Sequence, residues 1–138
     1  MSHYFKLDAR TITRILQKTL RCICETFRYL IRWPSDEEAE LLKQKFGSFV
    51  HGPFQSVICV ADGTEIRVAR PANNERQRWV YSNKKKQHSL NVMVLCLLNG
   101  VLIFVSKPRI GAHDQSHWNE LGLRDKFIGK SYGILGDG

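Results

Sequence analysis

Acidic side chains are scarce in this chain: 13 Asp and Glu stand against 21 Lys and Arg, giving a formal charge of +8 and a pI near 9.6. That shortage favours polyanionic partners such as nucleic acid or acidic membrane surfaces, although it says nothing about fold. Long apolar runs are also lacking. The longest, Leu90 to Val105, is broken by Asn91, Asn99 and Gly100, and the N-terminus has no apolar signal-peptide core. A soluble, intracellular chain with no membrane partner is expected. Cysteine is too sparse and too badly spaced for a disulfide framework or a structural zinc site: Cys22 and Cys24 face different ways on a helix, and Cys59 and Cys96 sit in apolar strands. Reduced, buried thiols are expected. What is present is an ordinary apolar fraction of 43% over 138 residues, enough for one domain with a sizeable core.

Ile12, Ile15, Leu16, Leu20, Ile23, Phe27, Leu30 and Ile31 recur at helical spacing, with arginines and Lys18 around the remaining surface. They predict a helix over about 9–32, ended by Pro34. Ser35-Asp36-Glu37-Glu38 has the form of a capping box for a second helix through Ala39, Leu41, Leu42 and Phe46, with Gly47 as its stop. Residues 1–50 therefore form an N-terminal helical segment, read as a helical cap ahead of a DNA-binding helix pair. From Gln55 to Val105 β-branched and aromatic residues dominate. Leu90 to Leu97 is apolar on both alternating faces apart from Asn91, which argues a central, doubly covered strand. Asn99-Gly100 is a hairpin turn, with Val101 to Val105 as the antiparallel partner. A short helical segment with Trp118 and Leu121 precedes a terminal strand. The order strand, hairpin, helix, strand predicts an α/β sheet with an antiparallel portion and helical cover.

Two carboxylates stand out. The apolar run from Val57 ends on Asp62 in front of Gly63, and Tyr132 to Gly136 delivers Asp137 in front of Gly138. Carboxylates brought together from distant strands are what a divalent cation in a phosphoryl-transfer site requires. An Asp-Gly hairpin turn is the competing reading, and by spacing alone it is the stronger one. Residues 65–88 carry Arg67, Arg70, Arg76, Arg78, Lys84, Lys85 and Lys86 against only Glu65 and Glu75, with Trp79 and Tyr81 interleaved. That pattern suits phosphates and unpaired bases, and Arg76, Arg78, Lys84, Lys85 and Lys86 are the nucleic-acid contacts it nominates. His113 and His117 lie one helical turn apart but lack a third ligand, so a surface pair is expected, with Asp114 capping the helix that follows.

The run Val57-Ile58-Cys59-Val60-Ala61-Asp62-Gly63-Thr64-Glu65-Ile66, with Pro71 downstream, resembles the first catalytic-strand motif of the Harbinger-type transposase nucleases of the DDE superfamily. Tyr81 to Lys85 with His88 to Asn91, then Gly111-Ala112-His113-Asp114, then Leu135 to Gly138, resemble that family's later motifs in order. The resemblance implies a ribonuclease-H-like mixed sheet over 51–138, in which Asp62 and Asp137 bind Mg2+ or Mn2+ and act on DNA. It also implies a third acidic residue on a helix beyond the second Asp, which places it past Gly138. The expectation is thus a C-terminally truncated nuclease fragment, inactive as given, with DNA and a separate DNA-binding protein as candidate partners. Leu97 stands where many members carry an acidic residue. Lys84-Lys85-Lys86 reads as a weak nuclear-import signal or as a phosphate-facing loop. The alternatives are a non-catalytic nucleic-acid- or partner-binding module on the same fold, and an unrelated basic α/β domain.

Overall fold

The structure, a computed structural model, describes residues 6–83, 85–110 and 114–136, and its contacts divide the chain into two units, Met1–Ile31 and Arg32–Gly138. The described residues of the first unit hold a helix, α1 (Ala9–Phe27), and a 3-10 turn at Arg28–Leu30. Asp8 caps it, its carboxylate accepting from the Thr11 amide at 2.9 Å and the Thr11 hydroxyl at 2.6 Å. Ile15, Leu16, Leu20, Ile23 and Phe27 share one side and remain 48–59% exposed. Cys22 and Cys24 are exposed free thiols, and Cys96 is half-buried. Of the four expected buried thiols only Cys59 is one, and burial pushes its thiol up to about 12.

In the second unit the capping box forms as written. The Glu38 amide donates to Ser35 Oγ at 3.2 Å, the Ser35 amide donates to Glu38 Oε2 at 2.7 Å, and α2 runs Asp36–Gly47. Arg32 forks the same Glu38 carboxylate at 2.8 and 2.6 Å, holding its carboxyl down at about 2. Ala39 is fully buried, so α2 lies close on the sheet with its smallest side chain inward.

The sheet is built from β1 (Val57–Arg67), β2 (Tyr81–Ser82), β3 (Gln87–Leu97), β4 (Leu102–Val105) and β5 (Gly133–Gly136). β3 runs antiparallel to β1, β2 and β4, while β5 is parallel to β1. A parallel neighbour requires a crossover, and the chain makes it through α4 (Asp114–Glu120) and a 3-10 turn at Leu123–Lys126. With α3 (Asn74–Val80) this unit is a mixed α/β fold with three helices among its described residues and a mixed sheet, a ribonuclease-H-like architecture. β3 is central, as its two apolar faces predict, with Met93, Leu95 and Leu97 buried. Together with Cys59, Ala61, Ile103, Leu123 and Ala39 they form the core, edged by Trp33, Phe104, Phe127 and Tyr132. Asn99-Gly100 makes the expected turn, with Gly100 at φ 88°.

Asp62-Gly63 does not turn. β1 passes straight through both residues and continues to Arg67, in register with β3 throughout: Asp62 pairs with Val94 and Gly63 with Met93. The turn preference of Asp-Gly yields here to a partner strand as long as β1 itself. The stretch after Pro71 forms α3, because the Asn73 side chain accepts from the Glu75 and Arg76 amides at 2.8 and 3.1 Å.

Candidate active site

Strand alternation decides what Asp62 faces. Val60, Asp62 and Thr64 point to one side of β1, and Ala61, Gly63 and Glu65 to the other. Cross-strand pairs share a face, so Asp62, Val94 and Val105 form a row across three strands, beside a row of Leu135, Val60, Cys96 and Leu102. This face is open: Leu102, Val105 and Leu135 are 42–45% exposed, and Asp62 is exposed among them. Among the described residues no hydrogen bond or ion pair engages the Asp62 carboxylate, which leaves both oxygens available to a hard cation. Asp62 sits in mid-strand rather than at a strand end. Asp137, the second expected ligand, lies outside the described residues. The register leading to it is described, since β5 pairs with β1 through Val60–Leu135 and Ala61–Gly136.

The opposite face carries a polar network that the spacing of the sequence did not reveal. The Asp114 carboxylate lies directly over Gly63, in the space a side chain there would need. Asn91 Nδ2 donates to Asp114 Oδ1 at 2.6 Å, and His117 Nδ1 lies 2.9 Å from Asn91 Oδ1. With the Asn91 amide nitrogen committed to Asp114, its oxygen accepts and His117 Nδ1 carries the proton. Asn91 also exchanges two 2.8 Å backbone bonds with Arg109. His117 is 3% exposed, so the expected surface pair is not formed by this residue; His113 lies outside the described residues. Burial, then the Arg109 cation, pushes the His117 imidazole down. The side chain of Asp114, expected as a helix cap, is turned to Asn91 on the sheet. Next along, Glu65 accepts from Ser82 Oγ at 3.1 Å and Ser89 Oγ at 2.5 Å. The one clue to this network was Asn91, a lone polar residue in an apolar run.

A family model described as DDE superfamily endonuclease matches residues 61–138, from the residue before Asp62 onward. The chain belongs to the DDE superfamily endonucleases. Among curated proteins it is similar to "Putative nuclease HARBI1" of Xenopus laevis, 26% identical over an alignment of 136 residues that covers 95% of this chain and 38% of that protein. The chain thus spans well under half the length of that relative. No solved structure matches it. Membership removes the reading of an unrelated basic α/β domain.

For a DDE superfamily endonuclease the donor chemistry of Asp62 fits a divalent cation: a free carboxylate on an open sheet face, beside the strand that leads to Asp137. Among the described residues no three acidic, histidine or cysteine side chains cluster closely enough to hold a metal ion. Glu65 is taken by two serines, Asp114 by Asn91, and Glu120 by an ion pair with Arg109. Of the nominated nucleic-acid contacts, Arg76 and Arg78 are exposed on α3, while Lys85 and Lys86 are exposed in the turn before β3. Lys84 lies outside the described residues. No helix is long and apolar enough to cross a membrane among the residues described.

Proposed function

We propose that this chain carries part of a metal-dependent DNA endonuclease site, with Asp62 and Asp137 as its first two ligands for Mg2+ or Mn2+. The observation that supports this most is the parallel register of β1 and β5. Ala61 pairs with Gly136, and the residues that follow them in sequence are Asp62 and Asp137. When bound, such cations activate an attacking oxygen and neutralise charge on the leaving one. The chain's own part is positional. Paired backbone on both sides holds the Asp62 carboxylate on the open face, and Asp114 seals the opposite face at Gly63. Arg76, Arg78 and Lys84 to Lys86 hold the phosphate backbone.

Beside Asp62 and Asp137 no third carboxylate joins this site among the described residues, where Glu65, Asp114 and Glu120 are engaged elsewhere. Two carboxylates with water hold one ion loosely, and the second position of a two-metal clamp is missing. The chain by itself then binds DNA without cutting it. An N-terminal helical segment over 1–50, nuclear residence and a separate DNA-binding partner complete the reading.

Incubating the chain with supercoiled and nicked plasmid in Mg2+ or Mn2+ tests this. Salt-sensitive binding without cleavage is expected, and Ala at Arg76, Arg78, Lys84, Lys85 and Lys86 should flatten the slope of log affinity against log salt. Cleavage by residues 1–138 that Asp62→Asn abolishes would contradict the two-carboxylate count. An unchanged salt slope would remove these cations from the interface.

A further inference from the structure

Where β1 runs out, the sheet and its connections border an open cavity of about 500 Å³. Arg67, Arg70 and Lys86 line it together with Tyr81 and His88, and among the described residues no carboxylate does. Three cations around one cavity without a counter-charge repel one another, so an anion is the ligand that would offset their repulsion. The cations are held there. Arg70 Nε donates to Gln77 Oε1 at 2.9 Å, and Gln77 Nε2 donates to the Pro71 carbonyl at 2.8 Å, so α3 fixes the guanidinium against the loop that carries it. Lys86 adopts φ 54°, a left-handed conformation that costs a non-glycine residue strain. The Val68 amide donates to the His88 carbonyl at 2.9 Å, tying the cavity's two walls.

Two of the other lining residues are aromatic. Tyr81 pairs with His88 across β2 and β3, and their rings meet edge to face with centroids 5.4 Å apart at 67°. Tyr81 is 38% exposed and thus presents ring surface to the cavity's solvent side. Cations beside two aromatic rings, in a volume within the range of small-ligand sites, match one nucleotide: phosphate on the guanidinium and ammonium groups, base on the rings. A paired base cannot reach such a cavity, because its faces are covered by its neighbours in the stack.

We propose that this cavity takes a single unpaired nucleotide of the DNA substrate, a contact distinct from the exposed cations on α3. The inference rests on the endonuclease reading above. It also gives a position, since His88 precedes Val94, the cross-strand partner of Asp62, by six residues on β3, so the two share a face about 20 Å apart at the strand rise. At the axial spacing of stacked nucleotides that is about six nucleotides from Asp62. An unpaired nucleotide at that distance would set where a strand lies relative to the metal-binding face.

The test uses the full chain with two probes, a perfect 20-mer duplex and the same duplex carrying one unpaired 2-aminopurine. The bulged probe should bind about 10-fold more tightly, the weight of one base stacked on an aromatic side chain, with its fluorescence quenched. Tyr81→Ala should erase both the preference and the quench while leaving perfect-duplex affinity unchanged, and Tyr81→Phe should keep them. Arg67→Ala and Arg70→Ala should each lower the salt slope for the bulged probe by about 0.9. Equal affinity for the two probes, with duplex binding intact, overturns this inference alone. No binding to either probe overturns it together with the endonuclease reading.

Discussion

Gly63 shows how little separates the face that carries Asp62 from the packed one. Its missing side chain is the space that the Asp114 carboxylate occupies, so Gly63→Ala forces α4 away from β1. Overpacking of this kind typically costs about 1–3 kcal/mol, and urea denaturation should show a loss in that range. Asp114→Ala in the same chain should recover part of it, since the colliding carboxylate is then gone. No recovery would mean that the strand, rather than the contact, rejects the methyl group.

His117 carries a pH signature. Its folded-state pKa lies below the ordinary value of 6.5 because burial and Arg109 oppose the cation, only partly offset by Glu120 and Asp114. The unfolded chain therefore binds the proton more readily, so the stabilising contribution is complete above about pH 6.5 and is lost as pH falls below it. Stability followed between pH 8 and 5 should decline through that window, and His117→Gln should flatten the decline. Neither Asn91 nor His117 could be assigned to this network from spacing. Their partner Asp114 is 23 residues from Asn91 in sequence, and only the packing of α4 on β3 brings the three together.

Elements with local chemical signals were legible. The capping box before α2, the turn at Asn99-Gly100 and the doubly apolar β3 all rest on rules that act within a few residues, and all three form. Asp62-Gly63 misleads for the same reason. Its local preference is a turn, but nine consecutive cross-strand pairs from Cys59 to Arg67 are worth more than one turn. α3 was hidden because Asn73 reads as a loop residue until its side chain is seen to hold two helix amides. For α2 the structure predicts an acid-labile anchor. Glu38 has its carboxyl held at about 2, against an unfolded value near 4.5, so its contribution is complete above about pH 4.5 and lost as pH falls toward 2. Helix content read by circular dichroism should fall across that window, and Glu38→Gln should remove this part of the fall. An unchanged acid transition in the variant would shift the anchoring to Asp36, which Lys130 and Tyr132 hold at 2.6 and 2.9 Å.

Across the whole molecule the two faces of the sheet differ. One is packed beneath α2 and α4, and the other leaves Leu102, Val105 and Leu135 exposed around Asp62. Apolar surface of this kind attracts dyes and other copies of the chain. The account predicts binding of a hydrophobic dye and concentration-dependent association, both reduced by Leu135→Lys with Val105→Lys; a monomer that binds no dye would count against it. Leu135 and Val105 lie in adjacent rows of this face, an arrangement set by the register of the strands. The family, too, was legible through short motifs in order, whereas the cavity behind Arg67 was not, since its walls come from three separate segments.

The claim on which the rest depends is that Asp62 is a metal ligand. Titrating the chain with Mn2+ and following the free ion by electron paramagnetic resonance tests it directly. The account predicts weak, saturable uptake that Asp62→Asn abolishes, with the variant's circular dichroism unchanged. Uptake that survives Asp62→Asn undiminished would contradict it.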